Sequence, residues 1–178
     1  MKGSKKVSIL GCVYLVVLFA DSCFLIGLKD HKDQYHEVSI KIWDRLNKDG
    51  IITESRDVVV TDYVLVEVFQ GLQSHAGFEI ANKAYKEMNE NCKVQKVTES
   101  VIQKAITKKL IPFLNHRTNQ PPIGFVDAVS LVTMDNLDIQ WIISFDGGFD
   151  KIPLTKRIFD EGSLAGFRAT MQVRNLRR

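Results

Sequence analysis

Asp127 and Asp146 stand 19 residues apart, joined by a stretch that reads as a helix going out and a strand coming back. Val129, Val132, Thr133 and Leu137 mark one side of the helix, a turn lies near Asn136 to Ile139, and Trp141 to Phe145 is a short apolar run. A helix of roughly 11–13 residues covers about 16–20 Å. A return strand of about five residues covers roughly 16 Å. The two lengths nearly cancel, so the helix leaving from Asp127 and the strand ending at Asp146 bring both carboxylates to one edge of a sheet. Two carboxylates placed together need a proton or a cation between them, and a divalent cation is the direct answer.

Two further acids belong to the same pattern. Asp21 closes an apolar run that reads as a strand from Tyr14 to Ala20, and Glu67 sits among Val64, Leu65, Val66, Val68 and Phe69. An acid with such neighbours is either a functional group at a cleft edge or a solvent-facing helix position, and both readings stay open from the residues alone. In parallel sheets ligands collect beyond the carboxyl ends of the strands. Three or four carboxylates there cannot all ionise without a shared cation, and an oxygen-only donor set selects Mg²⁺ or Mn²⁺ over zinc. Such an ion lowers the pKa of a water and steadies a leaving oxygen, which is the chemistry of phosphodiester hydrolysis. No G-x-x-x-x-G-K-[ST], G-x-G-x-x-G or G-x-S-x-G occurs, so nucleotide-loop and serine-hydrolase chemistry have no foothold.

The elements that must position these acids alternate between strand and helix. Tyr35, Val38, Ile42, Trp43 and Leu46 mark a helix within His31 to Lys48, stopped by Asp49-Gly50. A short strand or extended entry at Asp57–Val60 leads to a helix opened by Thr61-Asp62. Gly77 to Asn89 is helical, Cys92 to Val97 alternates as a strand, and Thr98 opens a helix whose outer face carries Lys104, Lys108 and Lys109. Those lysines read as a solvated face, with phosphate contact the lesser alternative. Asn115 to Pro122 is a loop, and Leu154 to Phe159 a last strand. The alternation predicts an α/β fold on a mostly parallel sheet.

The chain has 178 residues, 45% of them hydrophobic and 25% charged, as one globular domain requires. Its net charge of +3 lies wholly after residue 160, where Arg168, Arg174, Arg177 and Arg178 face Glu161 alone. Polyanions are therefore not gripped by bulk charge. Three cysteines without C-x-x-C spacing argue for reduced thiols, and His31, His36, His75 and His116 show no metal-ligand spacing. Lys2, Lys5 and Lys6 before Val7–Ala20 imitate a secretory signal. The apolar character continues through Phe24, Leu25, Ile26 and Leu28, which favours a buried strand feeding a helix. Residues 1–13 are read as an extension, 14–160 as the domain and 161–178 as a basic tail. A cytoplasmic protein without a membrane span is expected.

FADSCFLIGL (Phe19–Leu28), TDYVLVEVFQGL (Thr61–Leu72), FVDAVSLVTM (Phe125–Met134) and IISFDGGFDKI (Ile142–Ile152) resemble, in order, the four acidic motifs of PIN-domain ribonucleases. The layout is similar to that of the small prokaryotic VapC-type toxins. The resemblance implies a Rossmann-like three-layer fold, often dimeric, that cuts RNA with Mg²⁺ or Mn²⁺. It assigns Asp21, Glu67, Asp127 and Asp146 as catalytic and metal-holding acids, with Ser22 and Ser144 at the hydroxyl positions beside the first and last. It also implies an antitoxin partner covering the groove. The alternatives are an RNA-processing nuclease of the same fold without an antitoxin, and a non-catalytic PIN-like module that binds RNA or protein. The last motif departs from the family's T-x-D-x-D-F: Ser144 replaces Thr, and Gly148 occupies the place of an additional acid. Asp150 either stands in for that acid or caps the next turn.

Overall fold

The computed structural model describes residues 18–53, 57–114 and 122–176. The expected extension, the part of the first strand before Leu18 and most of the Asn115–Pro122 loop lie outside these residues.

Five parallel strands form one sheet in the order β3-β2-β1-β4-β5, with β1 at Leu18–Ala20, β2 at Val58–Thr61, β3 at Lys93–Gln95, β4 at Trp141–Ile143 and β5 at Lys156–Ile158. Composition sets this order. Leu-Phe-Ala and Val-Val-Val-Thr are buried along their whole length, as strands covered on both faces must be. Lys-Val-Gln and Lys-Arg-Ile are partly exposed and charged, which suits edges that must not recruit further strands.

Helices α1 (Ser22–Lys29), α2 (His36–Lys48), α3 (Asp62–His75), α4 (Phe78–Asn91), α5 (Glu99–Lys104), α6 (Phe125–Asn136) and α7 (Glu161–Leu176) complete the α/β fold. They pack around a core that includes Phe19, Phe24, Ile42, Leu46, Leu72, Leu131 and Ile142, all fully buried. Each such side chain contributes roughly 1.5–3 kcal/mol relative to exposure. Among the described residues no helix is long and apolar enough to cross a membrane.

Several boundaries differ from the sequence expectation for local reasons. Helix α2 starts at His36 rather than His31, because the Asp30 and Asp33 carboxylates accept from the amides of Lys32 and Tyr35 and hold a turn there. Helix α6 starts at Phe125, so Asp127 is its third residue and not its first. From Ala105 the helix after Thr98 widens into a π turn, whose Lys109 bonds Asp135 of α6 at 2.7 Å; Lys104 and Lys108 stay exposed. The segment from Glu161, read as a basic tail, is a helix that buries Leu164 and Phe167, the latter against Trp141 with ring centroids 4.9 Å apart.

Strand order fixes where a ligand can enter. The chain passes from β1 outward to β2 and β3, then returns to the other side of β1 for β4 and β5. The crevice at this switch, beyond the carboxyl ends of β1 and β4, is the position that such sheets offer to ligands.

Candidate active site

Asp21 follows β1 directly and caps α1: its backbone is extended and its Oδ1 accepts from the Ser22 amide at 2.7 Å. Its other oxygen, Oδ2, accepts from the Ser144 hydroxyl at 2.7 Å and from the Cys23 thiol at 3.0 Å. Only 3% of Asp21 is exposed. Burial pushes its carboxyl up, the bonds from Ser144, Cys23 and Ser22 pull it back, and Asp146 adds a smaller upward push.

Ser144 is the hub that joins Asp21 to Asp146. It follows β4 directly, is fully buried, and its Oγ both donates to Asp21 and accepts the Asp146 amide at 3.0 Å. Asp146 then caps the short helix Gly147–Lys151, accepting from the Gly148 amide at 2.7 Å, and leaves its carboxylate exposed at the crevice. Cys23 closes the ring: its sulfur accepts the Phe145 amide at 3.2 Å, and burial pushes its thiol up to about 12. A thiol so held is a neutral structural donor rather than a nucleophile.

The other two acids come from helices. Thr61 caps α3 through the Val64 amide at 3.1 Å, which fixes the start of the helix carrying Glu67. Glu67 is half-buried; burial raises its carboxyl, a hydrogen bond from Ser22 opposes this, and Asp21 raises it further. Asp127 reaches back to the Gly124 amide at 2.8 Å, as an acid in the first turn of a helix can. Its carboxyl is pushed up to about 7, first by burial, then by the charges of Asp21, Asp146 and Glu67.

The structure therefore brings Asp21, Glu67, Asp127 and Asp146 together from four separate elements, close enough for each charge to be felt at Asp127. The donors fit a hard divalent cation: four carboxylates and the hydroxyls of Ser22 and Ser144, with no nitrogen ligand. Among the described residues, however, no three His, Cys, Asp or Glu side chains already stand in an arrangement that could hold a metal ion. Each carboxylate instead has a hydrogen-bond donor: Ser22, Cys23 and Ser144 for Asp21, Ser22 for Glu67, Gly124 for Asp127 and Gly148 for Asp146.

Two positions read from the last motif resolve differently. Gly148 has no room for an acid: a Cβ there would meet the Pro122 carbonyl oxygen at 2.5 Å. Asp150 is not turned to the other acids. Both its oxygens are taken by Arg157, at 2.9 and 2.6 Å. Cys23, Gly124 and Arg157 were not singled out as site-forming from the sequence. Spacing offered a hint only for Cys23, in the first turn after Asp21; nothing local marks Arg157.

Comparison with known proteins agrees with the fold. The family model of the PIN domain matches residues 18–154. Among solved structures, the crystal structure of VapC20 of Mycobacterium tuberculosis, described as a sarcin-ricin loop cleaving toxin, is similar. It is 23% identical, with a TM-score of 0.60 over 75% of this chain and 93% of that one. No curated protein sequence matches the chain.

Proposed function

The chain belongs to the PIN-domain family, and from that premise we propose that it is a metal-dependent endoribonuclease, the toxin of a VapBC-type toxin–antitoxin pair acting in the cytoplasm. The observation that carries this reading is the convergence of Asp21, Glu67, Asp127 and Asp146 at the sheet's switch point, where neighbouring acids help to raise the carboxyls of Asp21, Glu67 and Asp127. The likeness to a sarcin-ricin loop cleaving toxin supports the substrate class.

In this reading Asp21, Glu67, Asp127 and Asp146 would hold Mg²⁺ or Mn²⁺. When bound, the ion supplies a water of lowered pKa and a counter-charge for the phosphate. Ser144 keeps Asp21 and Asp146 on a common frame. Glu67, steadied by Ser22, orients the attacking water on the α3 side. The oxygen of a water placed by Glu67 would join phosphorus while its proton passes to solvent, and the bridging oxygen would leave, taking a proton from solvent in turn. An antitoxin segment that covers the crevice would present a basic side chain to the acids.

The test is cleavage of mixed RNA with Mn²⁺ and with EDTA. Wild type should cut only with metal, and Asp21→Asn and Asp146→Ala should lose activity on the order of 10²–10³-fold while keeping their circular dichroism. A second reading, a non-catalytic PIN-like module, draws on the absence of a ready-made metal arrangement among the described residues. It predicts RNA binding that survives all four acid-to-amide changes, with no Mn²⁺-dependent thermal shift.

A further inference from the structure

Asp146 is the least protected of the four acids. It is exposed, and its placement depends on the turn from Ser144 to Asp150. Arg157 of β5 spans that turn. Its Nε and Nη2 fork the Asp150 carboxylate at 2.9 and 2.6 Å, and its Nη1 donates to the Ser144 carbonyl oxygen at 3.3 Å. The guanidinium carbon lies 4.0 Å from the Phe159 ring centroid, and the side chain is only 10% exposed. One rigid, permanently charged group thus grips the residue just beyond β4 and a residue of the short helix that Asp146 caps.

We propose that Arg157 is the positioning residue for Asp146, and that Asp150 serves as its anchor rather than as a metal ligand. This deepens the nuclease reading and rests on it for its link to cleavage, though not for its geometry. The Ser144 carbonyl and hydroxyl belong to one residue, so fixing the carbonyl also aims the hydroxyl that joins Asp21 to the Asp146 amide. An acid on an exposed turn would otherwise sample orientations that separate it from Asp21.

Amide hydrogen exchange of the metal-free protein, read by NMR at Asp146 and Gly148, tests the staple without requiring activity. Arg157→Lys should speed exchange at both amides about tenfold or more, because an ammonium cannot fork Asp150 and reach Ser144 together. Asp150→Ala should do the same to a smaller extent. In parallel, Mn²⁺ affinity and RNA cleavage should each fall about 10–100-fold in Arg157→Lys, the range for partners that orient metal ligands. Unchanged exchange in Arg157→Lys overturns the proposal. So does an Asp150→Ala variant that loses more Mn²⁺ affinity than Arg157→Lys, because Asp150 would then be a ligand. If exchange responds but wild type cleaves no RNA, the staple stands and the nuclease reading falls.

Discussion

The two walls of the acid crevice are built in opposite ways. On the β1–β4 side, Asp21, Cys23, Ser144, Phe145 and Asp146 form a closed ring of hydrogen bonds, and Asp21 receives three donors. On the α3–α6 side, Asp127 receives one backbone amide and Glu67 one hydroxyl bond, and both carboxyls are raised by burial and by their neighbours. Burial raises Asp21 on the first wall as well, but three donors oppose it there. On the second wall each acid has one donor against burial and neighbouring charge, which a proton or a cation relieves.

The largest effect should come from opening the locked wall. Ser144→Ala removes the short bond to Asp21 and the acceptor of the Asp146 amide, both buried or partly so. Leaving a buried carboxylate short of a donor costs about 1–3 kcal/mol or more. Chemical denaturation should show that loss, and RNA cleavage should fall about 10–100-fold.

The contact across the walls is probed next. Gly148 belongs to the locked side, yet it packs on Pro122, two residues before the Gly124 cap of α6. Gly148→Ala sets a methyl against a backbone carbonyl and should cost roughly 1–3 kcal/mol. If the walls are coupled there, Mn²⁺ titration should also be weaker.

On the strained wall the sign reverses. The Asp127 carboxyl keeps its proton in the fold up to about 7, whereas the ordinary value is 3.8. Between those values the folded state binds more protons than the unfolded chain, so stability falls as pH rises through this window and levels off above it. Thermal melts of metal-free protein should follow that course, and Mn²⁺ should raise the melting temperature most above pH 7. Asp127→Asn should flatten the profile and stabilise the metal-free protein at pH 8 by on the order of 1–2 kcal/mol, after discounting for solvent screening, while abolishing cleavage. Destabilisation by Asp127→Asn at pH 8 would show that the second wall is not strained.

The smallest effect lies at the base of that wall. Thr61→Ala removes the α3 cap and should cost about 1 kcal/mol, with a modest loss of activity because Glu67 is two turns further along.

What was legible in the sequence were the features written in local periodicity. The β1 and β2 runs, the Thr61 cap and the helix-and-strand return from Asp127 to Asp146 all stood out, since alternation, capping and chain length act over a few residues. From those came the parallel sheet and the expectation that Asp21, Asp127 and Asp146 share one edge. Glu67 remained ambiguous because burial of a helix face depends on which neighbour it meets. The segment from Glu161 looked like a tail because Leu164 and Phe167 are sparse among polar residues, although both are buried. The roles of Ser144, Cys23, Gly148 and Arg157 were decided only by tertiary structure. Their partners lie on other strands and loops, and a hydrogen bond or a missing Cβ acts over a few ångströms of space that chain order does not encode.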